Sequence, residues 1–151
     1  MELHLLLDKL RENKCAPQCF GCPDQSRDLL CVRMLEQKQS AFEPSTLYLT
    51  DPDSLPDPSM PEDFAVFCCG DAIDFSAYEN SAFTIVYFGN DISCERLFNL
   101  TMEHLTELQQ ITVGMHLLVN AVFSGNGLQY LIDTATHIFG NPIYVVDLQN
   151  K

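Results

Sequence analysis

Apolar residues recur along this chain with two different periods, and the change of period divides it. Near the start, Leu3, Leu6, Leu7 and Leu10 in "MELHLLLDKLREN" repeat at helical spacing with charged residues between them, which predicts an amphipathic helix. The pattern then changes to short apolar runs, "DLLCVRML", "STLYLT", "DFAVFCCG" and "AFTIVYF". Each reads as a strand, and strands separated by polar or helical pieces predict a small mixed or parallel sheet. The piece "DPDSLPDPSMPE" between the second and third strands carries four prolines, which exclude both helix and central strand. "DAIDFSAYENS", before the fourth strand, is short enough for a helical turn or a loop. "KCAPQCFGCPDQS", rich in Cys, Pro and Gly, predicts a loop or a compact knot.

From Ser93 to Phe123 the period becomes helical and stays so. Ser93 or Asp91 fits the N-cap, and Ser124, Gly125, Asn126 and Gly127 end the run. Such a helix is about 45 Å long. Leu97, Leu108, Ile111, Met115, Leu118 and Val122 form a 3,4-spaced seam that Thr101 and His104 interrupt. Cys94, Phe98, Leu105 and Val119 widen the stripe beyond what a two-stranded coiled coil needs, so one face suits the parent domain and another a partner helix. A homodimer through Leu97 to Val122 is the expected assembly. Gly114 weakens the middle of the helix by ~1 kcal/mol relative to Ala, which invites a bend. A second helix, Leu128 to Phe139, is expected to bury Leu128, Leu131, Ile132, Ala135, Ile138 and Phe139. It ends at Gly140 and Pro142 and makes a helical hairpin with the first. Ile143 to Leu148 reads as a further strand, the first of a new sheet. The expected fold class is α/β: a small mixed or parallel sheet with flanking helices over 1–92, a helical connector over 93–140, and that strand within 141–151.

Charge narrows the partners. Eight Lys plus Arg stand against 21 Asp plus Glu, a formal net charge of −13 over 151 residues. A chain so acidic is repelled by a phosphate backbone, so direct nucleic-acid contact is not expected. The 46% share of hydrophobic residues is that of an ordinary globular protein. The opening helix lacks the basic start and long apolar core of a signal peptide, and no apolar run reaches membrane-spanning length. A cytoplasmic protein without membrane contact is expected. Its seven cysteines cannot all pair internally, and reduced thiols are expected in that compartment.

Candidate chemistry is sparse. Cys15, Cys19 and Cys22 form C-x3-C-x2-C, numerically the spacing of the radical S-adenosylmethionine iron–sulfur triad, but Phe20 is followed by Gly21 where those enzymes place an aromatic residue directly before the last Cys. Structural zinc held by these three, with Cys31 or His4 as fourth ligand, competes with buried or unligated thiols as the reading. Adjacent Cys68 and Cys69 fall on opposite faces of a strand and read as core filler. His4, His104, His116 and His137 are scattered singly, and His104 in the seam reads as a register-setting or solvated residue. The carboxylates Asp51, Asp53, Asp57, Glu62 and Asp63 alternate, yet the prolines among them oppose a calcium loop. "SGNG" at 124–127 joins two helices without the strand and Lys of a phosphate loop, and reads as a turn. No nucleophile elbow or other catalytic constellation is present, so a non-catalytic protein is expected.

The order of parts resembles the N-terminal module of bacterial transcription regulators of the purine-catabolism regulator (PucR-like) group. The likeness runs through "DLLCVRML", "STLYLTDPDSLPD", "DFAVFCCGD", "FTIVYFGND" and "SCERLFNLTMEHL". It is sharper in "LLVNAVFSGNGLQYLIDTATHIFGNPIYVVDLQNK", similar to the joint that leads into a PAS- or GAF-like sensor domain. The resemblance implies a regulatory and oligomerisation module whose helix-turn-helix DNA reader lies outside this chain. The Cys15 to Cys22 segment departs from that pattern, and a metal- or thiol-sensing module is the alternative. A weaker likeness links "SRDLLCVRMLEQKQSAFEPSTLYLT" to the small N-terminal domain of Mur ligases, which implies binding of a nucleotide-like ligand, although the Gly-rich follow-up of that pattern is missing.

Overall fold

The computed structural model describes residues 1–13, 15–22, 26–35, 39 and 41–146. Its elements are helix α1 (Leu3–Glu12), strands β1 (Gln18–Gly21), β2 (Cys31–Met34), β3 (Thr46–Thr50), β4 (Ala65–Cys68) and β5 (Thr84–Tyr87), then helices α2 (Cys94–Phe123) and α3 (Gly127–Phe139). The strands make one sheet in the order β1-β5-β4-β3-β2. β2 to β5 run parallel, and β1 pairs antiparallel with β5. The fold is α/β with a mixed sheet. Compactness divides the chain into two units, Met1–Thr106 and Glu107–Lys151.

In the first unit, alternation along the strands sorts side chains onto two faces. Leu47, Leu49, Ala65, Phe67, Cys69, Val86 and Phe88 share one core with Leu3, Leu6, Leu7 and Leu10 of α1 and with Leu97 and Leu105 of α2. Tyr48, Phe64, Val66, Cys68, Phe83 and Ile85 face the other way. That second face has no α-helix over it among the described residues. The links from β3 to β4 and from β4 to β5 contain only short 3-10 turns, Pro52–Ser54 and Ser76–Tyr78. Rings do the covering instead: Phe42 stacks on Phe64, Phe64 on Phe83, and Phe20 on Phe75, with centroids 4.0, 4.5 and 4.5 Å apart.

Three sequence expectations change here: first, Leu128 and Phe139, expected to be buried by α3, are 58 and 60% exposed. Residues 18–21 lie in the segment expected to be loop or knot, yet they form β1, because the open side of β5 offers hydrogen bonds that four residues without a strong strand pattern can accept. Gly21 closes this strand at φ +82°, where a Cβ would collide with the Phe83 carbonyl oxygen. In the last segment, residues 143–146 pair with no strand among the described residues, and Tyr144, Val145 and Val146 are exposed. A strand requires a neighbouring edge for its backbone groups. Asp147 and Leu148, the rest of that expected strand, lie outside the described residues.

The start of α2 is built as expected: the Arg96 N–H donates to Ser93 Oγ at 3.2 Å and the Leu97 N–H to the Ser93 carbonyl at 2.9 Å. Thr101 is fully buried in this part of the helix, and its Oγ1 has no hydrogen-bond partner among the described residues. In the second unit, the rest of α2 and α3 form a hairpin around small residues, with Gly114, Ala121 and Ala135 buried. Helix α2 is continuous through Gly114. A Cβ there would stand 2.8 Å from Ile138 Cγ2, so glycine serves close helix approach. Helix α3 ends at Gly140, whose φ is +65° and whose N–H donates to the Thr136 carbonyl at 3.0 Å.

Two substitutions check this account. Gly21→Ala is expected to destabilise the protein by about 2 kcal/mol or more, combining left-handed strain with the clash at Phe83. Thr101→Val, which removes a buried hydroxyl without a partner, is expected to be neutral or stabilising by up to about 1 kcal/mol. Urea denaturation of both variants beside the parent reads each outcome.

Candidate functional site

The three cysteines of the sequence motif fall before, within and after β1. Cys15 packs against the helix-side core. Its thiol is raised chiefly by burial, with the Arg96 charge opposing and Asp91 adding to the rise, which places it by the start of α2. Cys19 lies across from Val86 in the β1–β5 register and so on the helix side of the sheet; burial raises its thiol and Arg11 opposes. Cys22 follows the strand, its N–H donating to the Phe83 carbonyl at 3.1 Å. Cys31 is on β2, the opposite edge of the sheet from β1. Four strand spacings, roughly 19 Å, separate those edges, so Cys31 is not brought to Cys19. His4 lies 3.1 Å from Glu2 through Nδ1. Among the described residues no group of three or more His, Cys, Asp or Glu side chains is arranged to hold a metal ion.

A different set of thiols does converge. Cys94, the first residue of α2, donates its thiol hydrogen towards the Thr50 carbonyl at 3.4 Å and towards the Cys69 carbonyl at 3.9 Å. Cys69 is buried in the helix-side core against which Cys94 packs. Its thiol is raised first by burial, then by the neighbouring Cys94, with Cys68 and Cys15 contributing. Cys68, on the aromatic side, is pushed up to about 12 by burial, with Cys94 and Asp51 adding to the shift. The pairing of Cys94 with residues 44 and 25 positions earlier has no signature in the sequence.

The carboxylates after β3 and β4 shape their own turns. Asp51 Oδ1 accepts from the Ser54 N–H at 2.9 Å. Asp57 Oδ1 accepts from the Ser59 hydroxyl and N–H at 2.6 and 2.8 Å. Asp74 Oδ1 accepts from the Ser76 N–H at 2.9 Å. These bonds hold the Asp57 and Asp74 carboxyls below the usual carboxylate range, through the Ser59 hydroxyl and the Ser76 N–H respectively.

The seam of α2 serves two purposes. Leu97 and Leu105 are buried in the first unit, so the expected self-association surface does not extend to them: the sheet has already taken that end. In the second unit, by contrast, Ile111, Met115 and Val122 are 54, 59 and 60% exposed. Beside them runs a groove of about 230 Å³, with Ile111, Gly114, Met115, Leu118, Ile138 and Phe139 in its lining. Among the described residues, no helix is long and apolar enough to cross a membrane.

No protein-family model matches the chain, and neither a curated protein nor a solved structure matches it.

Burial and thiol protonation together set the order of reaction with an alkylating reagent. At pH 7, a thiol titrating near 12 is thiolate in only about 1 molecule in 10⁵. Exposed Cys19 is expected to be modified in the native protein, while Cys68 and Cys69 react only after unfolding. Timed alkylation with peptide mapping measures this order, and early labelling of Cys68 would contradict the assigned burial.

Proposed function

We propose that this chain is the non-catalytic regulatory and oligomerisation module of a PucR-like cytoplasmic transcription regulator, and that it forms a homodimer through the C-terminal half of α2. The observation that carries the reading is the row Ile111, Met115 and Val122, each more than half exposed along one side of the helix. Met115 follows Ile111 by four residues and Val122 follows Met115 by seven, which keeps the row within a narrow stripe. Contiguous apolar surface of this kind marks an interaction site.

Charge supports association at this place. Between Glu107 and Val146, Glu107 and Asp133 are the only Asp or Glu, and there is no Lys or Arg. The rest of the −13 therefore lies outside this segment, and two copies can meet here with little mutual repulsion. The same negative charge supports the reading that this module does not itself contact DNA. The regulatory role itself rests on the likeness of the strand motifs and of the Gly-Leu-Gln joint to the family.

Sedimentation velocity provides the test. The parent chain is expected to sediment as a dimer at micromolar concentration, and the double substitution Met115→Glu with Val122→Glu to convert it to a monomer of unchanged helix content. A parent that stays monomeric at high micromolar concentration, or a dimer indifferent to both substitutions, refutes this surface.

A further inference from the structure

The carboxyl ends of β3 and β4 meet the first turn of α2 at a sulfur-rich point that neither the fold nor self-association requires. Cys94 directs its thiol at two backbone carbonyls there, those of Thr50 and Cys69. A sulfur 3.9 Å from the Cys69 carbonyl oxygen is beside the Cys69 main chain itself. The Cys69 side chain belongs to the same helix-side core against which Cys94 packs. Their exposures differ. Cys94 is partly open to solvent, whereas Cys69 is 4% exposed.

We propose that Cys69 and Cys94 are a modification site: a hydroperoxide oxidises Cys94, and Cys69 resolves the product to an intramolecular disulfide. In the first step the Cys94 sulfur attacks one oxygen of hydrogen peroxide. The O–O bond breaks, an S–O bond forms, and the thiol proton leaves with the other oxygen as water, giving a sulfenic acid. In the second step the Cys69 sulfur attacks the Cys94 sulfur. The S–S bond forms as the S–O bond breaks, and the hydroxyl departs with the Cys69 proton as a second water. Two electrons pass from the two thiols to the peroxide. The partly exposed thiol meets the oxidant, and the buried one is protected from reagents but adjacent to its partner, which is the division of labour between a peroxidatic and a resolving cysteine.

The bond would tie the first turn of α2 covalently to the end of β4. Because α2 also carries the exposed apolar row, the site stands on the helix that joins the two units, yet the chemistry is independent of whether the chain dimerises.

The experiment treats the full chain with hydrogen peroxide under native conditions, blocks remaining thiols with an alkylating agent, and maps peptides by mass spectrometry. A Cys69–Cys94 linked peptide is expected, lighter by two hydrogens than the sum of its parts and released by dithiothreitol. It should survive in Cys15→Ser and disappear in Cys94→Ser, whose hydroxyl retains a donor for the Thr50 carbonyl. Conversion of Cys94 to its sulfinic acid while Cys69 remains alkylatable after unfolding overturns the proposal. So does a disulfide from Cys94 to Cys15 or Cys68. Since the products formed in the parent protein alone distinguish these outcomes, the test does not depend on the folding of any variant.

Discussion

The four parallel strands β2 to β5 cannot leave either face to water, because side chains on both sides of β3 and β4 are apolar and fully buried. One face is closed in the usual way. The four leucines of α1 and the first turns of α2 supply a continuous apolar layer against it. Among the described residues the other face is closed without an α-helix, by stacked rings reaching over from the links between strands and from β1. Aromatic residues bury large areas with few rotatable bonds, so short links carrying single turns suffice where crossover helices would otherwise be needed.

This requirement sets the fate of α2. Its beginning is committed to the sheet, which accounts for the burial of Leu97, Thr101 and Leu105. Beyond Thr106 the same helix enters a second compact unit, where it packs against the short helix α3. That contact uses small residues, with a close approach at Gly114 and Ile138, while Ile111, Met115 and Val122 of α2 stay more than half exposed. A helix that buries its glycine and its alanine while exposing isoleucine, methionine and valine has put its apolar surface where another surface can use it.

The polar chemistry is local by comparison. Asp51, Asp57 and Asp74 each accept a hydrogen bond from a serine two or three residues on, so carboxylates that alternate in the sequence act as turn formers. The thiols divide by strand face: Cys68 belongs to the aromatic side and Cys69 to the helix side. Cys94 meets the latter only because the loop after β5 returns the chain to the sheet at the start of α2.

The features legible in the order of residues are periodic and nearby. The leucine spacing of α1, four apolar strand runs, the Ser93 cap, the extent of α2 and the stop at Gly140 are all set by interactions spanning a few residues, and the opposite facing of Cys68 and Cys69 follows from the pleat. Tertiary structure alone decided the rest. β1 exists because β5 had an open edge; Cys19 lies in a strand rather than a knot for the same reason; and the seam of α2 is half core, half surface because the sheet covers only its beginning. Gly114, a weak point by helix propensity, is a contact point once α3 folds back. Each of these depends on residues far apart in the chain arriving at one place, and no local spacing encodes which partner arrives.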